Sequence, residues 1–466
     1  MTANIAACKD ALRKLDLDLD DDPRTVLQKS RDFYWYSPIL KDQLQHVTAD
    51  FVVAPRNVEE VRQVLATCWR HDVPVTTRGA GTGNYGQAMP LSGGAILHMK
   101  HMNRILTIGA DHFVAEGGTI IEHIEHALRA EGKELRLFPS TTGSATIGGF
   151  IAGGSSGVGA IRWGGLRNPA NIRRIRLVTM EEDPRVIDLI GPQEIAKAAH
   201  AYGVNGVIVE VELPADPSTD WIDVIIGVDT FEKSCELALL VGNDDATCKR
   251  MLSNFEAPIP ARYFLRHGPF LDAREAMLAV TVSRETLPRL LDLVEGFDGA
   301  TLRLRYDRLP EGSNLSAAFE LAWNHTTLRA LRVDPTVTYL QMMLPRPEMF
   351  EKMRALKARF GDELLLHFEF TRFDGVVSPV GLPIVRHTSN ERLEEIIQIL
   401  EQELRVPVFN PHRVTLEEGG MKKTNPTQLA FKRQADPKGL LNPGKMIAWT
   451  DPDWTPVPGK SYLFVE

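Results

Sequence analysis

Cysteine is scarce in this chain: Cys8, Cys68, Cys235 and Cys248 are the only four in 466 residues, and no two are close together. A disulfide framework or a thiolate metal site calls for cysteines at short, regular spacings, so neither is expected. Reduced thiols, and with them a cytoplasmic location, are the expectation. Long apolar runs are also missing. No stretch approaches the roughly 18 residues of a membrane-spanning helix, and Met1–Leu17 lacks the basic-then-apolar order of a secretory leader. No transmembrane segment is therefore expected. Positive charge is in deficit, with 53 Lys+Arg against 61 Asp+Glu and a formal net charge of -8. A nucleic-acid polyanion needs a basic surface and is not expected as the principal ligand. Low-complexity segments and short repeats are absent too.

What is present is an ordinary globular balance, 43% hydrophobic and 24% charged, over a length sufficient for two or three domains. Residues 1–45 read as a polar N-terminal arm. It holds the acidic run Asp16, Asp18, Asp20, Asp21 and Asp22 and the aromatic cluster Phe33-Tyr34-Trp35-Tyr36. That cluster either packs in the ordinary way or staples the arm onto a later domain. Residues 46–216 alternate strand and helix. Phe51-Val52-Val53 reads as a strand, Asn57 with Glu60 as a capping box, and Val58, Val61, Leu65 and Cys68 as one helical face. The next strand, Val73–Thr77, runs into a glycine-rich loop. Gly206–Val211 reads as a buried strand, and Pro214-Ala215-Asp216-Pro217 as a boundary. Residues 217–405 repeat a strand-helix-strand theme, including strands at Trp221–Val228, Met277–Ser283, Val337–Met343 and Glu363–Phe370. This predicts an antiparallel sheet backed by helices. A helix at Asn390–Leu404 precedes a tail, 406–466, rich in Gly, Pro and Lys.

Two glycine-rich stretches carry the chemistry. The first, Arg78-Gly79-Ala80-Gly81-Thr82-Gly83-Asn84-Tyr85-Gly86-Gln87, follows a strand directly. Glycines without Cβ atoms let backbone N–H groups converge on an anion, and Thr82, Asn84 and Gln87 add side-chain hydrogen bonds. The pattern GxGxxG occurs at 81–86, but Met89-Pro90-Leu91-Ser92-Gly93-Gly94 reads as turn where a Rossmann fold requires a helix. The second stretch runs from Phe138 through Thr146-Ile147-Gly148-Gly149 to Ser155-Ser156-Gly157. Its glycine pairs between small hydroxylated residues suit a backbone pressed against a flat ring and a pyrophosphate.

This pair of loops resembles the FAD domain of the vanillyl-alcohol oxidase / p-cresol methylhydroxylase (PCMH-type) flavoproteins. Val53-Ala54-Pro55-Arg56-Asn57-Val58 and Met102-Asn103-Arg104-Ile105 are similar to that family's opening strand-helix and to the turn after its first loop. The tail string Asp436-Pro437-Lys438-Gly439-Leu440-Leu441-Asn442-Pro443-Gly444-Lys445-Met446 resembles the C-terminal signature of the glycolate oxidase / D-lactate dehydrogenase branch. The resemblance implies an α+β, two-domain fold. Its parts are an FAD domain at 46–216, an antiparallel-sheet substrate (cap) domain at 217–405 and a C-terminal segment returning to the FAD domain. By the same resemblance, Gly79, Ala80, Gly81, Thr82, Gly83 and Asn84 should contact the pyrophosphate, with Arg78 and Gln87 of the same loop also expected to bind the cofactor. Pro139, Ser140, Thr141, Gly143, Thr146, Ile147, Gly148, Gly149, Gly153, Ser155, Ser156 and Gly157 should line the ribityl chain and isoalloxazine. Gly206, Val207 and Ile208 should lie near the adenine, and Asn442 should return towards the flavin.

The implied activity is FAD-dependent oxidation of the CH–OH group of a small 2-hydroxy acid by hydride transfer to flavin N5. Alternatives are an oxidase of larger or aromatic alcohols, or a flavin-bearing electron-transfer subunit of a complex. The electron acceptor is left open, as are a homodimer and a redox-partner subunit. Three departures from the family pattern stand out. Thr82 stands where some relatives carry a flavin-tethering histidine, and the second loop has no cysteine, so non-covalent FAD is expected. The branch's His-rich metal strand is reduced to His367-Phe368-Glu369, too few ligands for a metal site. Glu418 stands where that branch often has histidine.

Oxidising a hydroxy acid needs a group to take the hydroxyl proton, which favours histidine. A carboxylate on the substrate would call for arginine. The candidates are His325, with Arg329 four residues on, the run containing His367, Glu369 and Arg372, and His412 beside Arg413. Alternation puts His367, Glu369 and Thr371 on one strand face. That face either lies over a flavin or is solvated.

Overall fold

The computed structural model describes residues 3–344 and 346–463. The first layer is a four-stranded sheet. Phe51–Ala54, Ala95–His98 and Val75–Arg78 run parallel, and Asp18–Asp20 joins antiparallel at the edge. Parallel neighbours need a crossover, which helix Val58–Arg70 supplies by burying Val61, Val64, Leu65 and Cys68. Asn57 Oδ1 accepts the Glu60 N–H at 3.0 Å, as the capping pattern predicts, but the Glu60 carboxylate returns to the Arg56 N–H at 2.8 Å. The N-terminal residues are built into this layer. Helix Ile5–Arg13 buries Cys8 and Leu12, and the Cys8 and Cys68 thiols share a hydrogen bond at 3.8 Å rather than a disulfide.

The second layer is antiparallel: Ile105–Ile108, His112–Glu116, Val207–Pro217, Arg174–Val178 and Val186–Ile190. Strand Val207–Pro217 is long enough for Lys133–Leu135 to pair with its far end.

The third layer is an eight-stranded antiparallel sheet. Its order is Ala300–Arg305, Trp221–Val228, Ala276–Ser283, Lys249–Phe255, His367–Phe373, Val376–Gly381, Gln341–Met343 and Val408–Phe409. Side chains alternate between its two faces. Val224, Ile226, Leu252, Leu278, Phe368 and Phe370 pack outward under helices such as Phe231–Asn243 and Met349–Phe360. Ile225, Met251, Phe255 and Met277 face inward and share one core with Ile124, Leu137, Phe138 and Ile147 of the FAD-type region. The antiparallel, helix-backed architecture expected for 217–405 is what the chain adopts.

Two expected strands are each divided. Val337–Tyr339 pairs with Ile384–Arg386 in a separate three-stranded sheet, while Gln341–Met343 enters the large one. Likewise Leu364–Leu365 belongs to the small sheet and His367–Phe373 to the large one, the break at Leu366 being held by its N–H on the Glu256 carboxylate at 2.7 Å. Alternation survives such a break, so it is invisible in sequence. Strand Lys249–Phe255 shows no alternation because all seven of its residues are buried. The expected helix Asn390–Leu404 is α-helical only to Gln398 and widens into a π-helical turn at Ile399–Glu403. No helix among the described residues is long and apolar enough to cross a membrane.

Candidate functional site

The two glycine-rich stretches meet in one cleft with a cavity of about 270 Å³. Its floor contains residues 79–85 and Gln87 of the first stretch, and Pro139, Ser140, Thr141, Thr146, Gly148, Gly149 and residues 152–157 of the second. Gly206 and Ile208 lie at its far side. The backbone here is stripped of side chains for a reason. A Cβ on Gly79 would fall 2.0 Å from Thr146 Oγ1, and one on Gly148 2.6 Å from the Gly117 carbonyl. Gly81 has φ +72°, and its Cβ would meet the Arg78 guanidinium at 2.2 Å. The first loop is braced from beneath by buried charges. Arg78 donates to the carbonyls of Arg31 and Ala80, and Lys445 to that of Gly86. Asp32 accepts from the Tyr34 and Ala88 N–H groups. Burial pushes the Asp32 carboxyl up to about 6 and the Lys445 ammonium down to about 7.

The cap closes the other side with Trp323, Asn324, His325, Gln341, Phe373, Val380, Leu382 and Phe409. His325 lies in the first turn of helix Asn324–Val333. Burial, aided by Arg329 and Arg332 and opposed by the Glu320 carbonyl, holds its imidazole down at about 4. It is therefore neutral and able to accept a proton at neutral pH. The helix starts from a costly geometry, with Trp323 at φ 53°, in the left-handed region. The Glu369 carboxylate fixes that turn by accepting the Trp323 N–H at 2.6 Å, and it is itself held by His367 Nε2 at 2.8 Å and by Ser253 Oγ.

The predicted catalytic residues thus separate. Only His325 lines the cleft. His367, Glu369 and Thr371 do share the inner strand face, yet they are fully buried, so that face is neither solvated nor exposed in the cleft. His367 stacks on Phe255. Arg372 donates to the carbonyls of Ile161, Gly375 and Gly242. His412 is buried between Ser37 Oγ at 2.7 Å and the Tyr339 carbonyl at 3.0 Å. Of the predicted cofactor residues, Arg78, Gly143, Ile147, Val207 and Asn442 lie outside the cleft lining. Asn442 does return from the tail, but its amide donates to the carbonyls of Gln87 and Tyr202 behind the cleft wall. Glu418 pairs with Thr415, while the neighbouring Gly419 and Gly420 line the cleft.

Other lining residues had no signal in the sequence: Arg167, His200, Tyr202, Trp323, Gln341 and Phe373. His200 links the carbonyls of Gly154 and Gly420, each 2.9 Å from a ring nitrogen. Phe33 and Tyr36 of the aromatic cluster also line the cleft. The Phe33 N–H donates to the Gly83 carbonyl, and the Tyr36 carbonyl accepts from Thr338 of the cap, so the cluster ties the N-terminal region to both sides.

A dinucleotide fits this donor set. Among the described residues, the N–H groups of 79–84 and 155–157 donate to no protein acceptor, as a row of free donors around a pyrophosphate requires. Comparison with known proteins agrees. Residues 49–187 match the FAD binding domain family. The chain is 27% identical over 432 residues to the glycolate oxidase subunit GlcD of Bacillus subtilis, covering 86% of this chain and 89% of that one. It is 23% identical over 447 residues to the mitochondrial D-2-hydroxyglutarate dehydrogenase of Arabidopsis thaliana, covering 86% and 75%. Among solved structures, alkyldihydroxyacetonephosphate synthase superposes with a TM-score of 0.71 at 14% identity, covering 94% of this chain and 85% of that one. Residues 49–187 are an FAD binding domain of the PCMH type, and the chain that carries it is an FAD-linked oxidoreductase.

Proposed function

We propose that the protein oxidises the CH–OH group of a small 2-hydroxy acid, the substrate class named by its relatives. The observation that carries the reading is the junction of the two glycine loops with a cap face whose only titratable lining group, among the described residues, is the neutral His325. FAD, when bound, supplies the two-electron acceptor for the hydride. The chain's residues do the rest. The free N–H groups of 79–84 hold the diphosphate. His325 takes the hydroxyl proton. The Asn324 and Gln341 amides orient the substrate, and Val380, Leu382 and Phe409 exclude water. FAD is held non-covalently on this reading, since no cysteine lines the cleft among the described residues and Thr82, which does line it, stands where the family resemblance would put a tethering histidine. The relatives named as subunits of glycolate oxidase support assembly with a partner chain.

The test is the visible spectrum before and after acid precipitation, followed by anaerobic titration with 2-hydroxy acids. Flavin released wholly to the supernatant and bleached by an acid is the expected result. Colour retained in the pellet would overturn the non-covalent assignment, and no bleaching by any hydroxy acid would overturn the substrate class.

A further inference from the structure

Among the described residues, Arg167 is the only arginine, lysine, aspartate or glutamate that lines the cleft. A floor of glycines, hydroxyls and amides under a cap with no Arg, Lys, Asp or Glu in its described lining therefore carries one permanent charge. Its position is specific. Residues 164–167 run against the second glycine stretch: the Leu166 N–H donates to the Ser155 carbonyl at 3.0 Å, and a Cβ on Gly165 would meet that same oxygen at 2.9 Å and the Phe373 ring at 3.3 Å. Arg167 thus sits where the flavin-side loop touches the inner face of the cap sheet. Its guanidinium lies over the Phe373 ring, 5.0 Å from the centroid. This contact fixes the plane of the fork.

The fork is under-used. Among the described residues its one ion pair is with Asp374 at 3.1 Å, whose carboxylate is 83% exposed. An exposed pair of this kind is weak. Arg167 Nε is buried and has no acceptor. Asp374 sits with Gly375 in the hairpin turn after strand His367–Phe373, both at positive φ. A planar fork with unused donors, stacked on an aromatic ring in an otherwise uncharged cleft, is the geometry that grips a carboxylate.

We propose that Arg167 binds the substrate's carboxylate and so selects acids over neutral alcohols, with the Asp374 carboxylate as its resting partner. This rests on the hydroxy-acid reading above and assigns that reading its specificity residue. Substitution should act on substrate affinity rather than on the chemical step, and on acids rather than diols. The holoprotein is titrated anaerobically with glycolate, with ethane-1,2-diol as the neutral counterpart and with oxalate as an unreactive carboxylate, following the flavin spectrum. In Arg167→Met, the glycolate KM and the oxalate Kd should rise roughly 10- to 100-fold, and the preference for glycolate over the diol should collapse. Arg167→Lys should fall between the two. Asp374→Asn, which removes only the competing carboxylate, should tighten oxalate roughly twofold to fivefold. Unchanged oxalate and glycolate affinity in Arg167→Met, with the wild type still bleached by glycolate, would overturn the assignment and leave hydroxy-acid oxidation standing. Loss of FAD with the acid preference intact would equally overturn it. A wild type reduced by the diol but by no acid would overturn both.

Discussion

At the scale of single residues, the cleft depends on positions where one extra atom cannot be accommodated. Gly81→Ala places a methyl group 2.2 Å from the Arg78 guanidinium at φ +72°. The backbone term alone costs about 1–2 kcal/mol. Purified Gly81→Ala should carry clearly less FAD, read from the ratio of visible to protein absorbance after gel filtration. Glu369 works at a distance from the cleft. Removing its carboxylate frees the Trp323 N–H and the strained turn that positions Asn324 and His325. Glu369→Ala should retain FAD yet lose turnover, and Glu369→Gln, which keeps an acceptor, should recover much of it; equal loss in both variants would contradict a positioning role. For His325 itself, His325→Gln should lower kcat by roughly 10²–10⁴-fold. Because its imidazole must be neutral to accept a proton and protonates at about 4, wild-type kcat/KM should stay level above pH about 5 and fall below it. The glycine loops could be read from sequence because missing Cβ atoms are a local property. The burial of His367 and Glu369 could not, since alternation shows which residues share a face and not what covers it.

At the scale of elements, the tail signature is explained by one carboxylate. Asp436 is fully buried. It accepts the N–H groups of Leu440 and Leu441 and pairs with Lys432, whose ammonium also donates to the Val204 carbonyl. That turn delivers Leu441 as a parallel bridge onto Val75, beside the first glycine loop. Asp436→Ala leaves a buried ammonium without its counter-charge, which costs about 3–5 kcal/mol. The variant should show a lower denaturant midpoint and earlier proteolytic release of the C-terminal segment. If both stay at wild-type values, the pair does not hold the tail. The strand-helix units of the FAD domain could be read from capping and periodicity. The division of Val337–Met343 and Glu363–Phe370 between two sheets could not, because each half keeps the same alternation.

At the scale of the whole molecule, several histidines are enclosed in neutral form. His412 joins Ser37 of the N-terminal region to Tyr339 of the cap, and His267 is bonded to Tyr306. Burial lowers them from 6.5 to about 3 and about 4. The unfolded chain binds these protons first as pH falls, so the stability they allow is complete above pH 6.5 and is lost as pH drops towards about 4 for His267 and about 3 for His412. The loss is on the order of 2 kcal/mol per imidazole by pH 5. Urea midpoints at pH 7.5 and pH 5 should show the decline, and His412→Gln should flatten it; an identical slope in the variant would exclude His412 as a source.

The sequence by itself determined what short-range chemistry dictates: the glycine loops, the capped crossover helix, the helix-backed antiparallel repeat and, through family motifs, the FAD cofactor. Tertiary structure alone decided which side chains face the cleft. Arg167, Trp323, Gln341 and Phe373 are far apart along the chain and converge there only because the cap sheet packs its inner face against the second glycine stretch. Such convergence arises from long-range packing, which no local pattern of residues encodes.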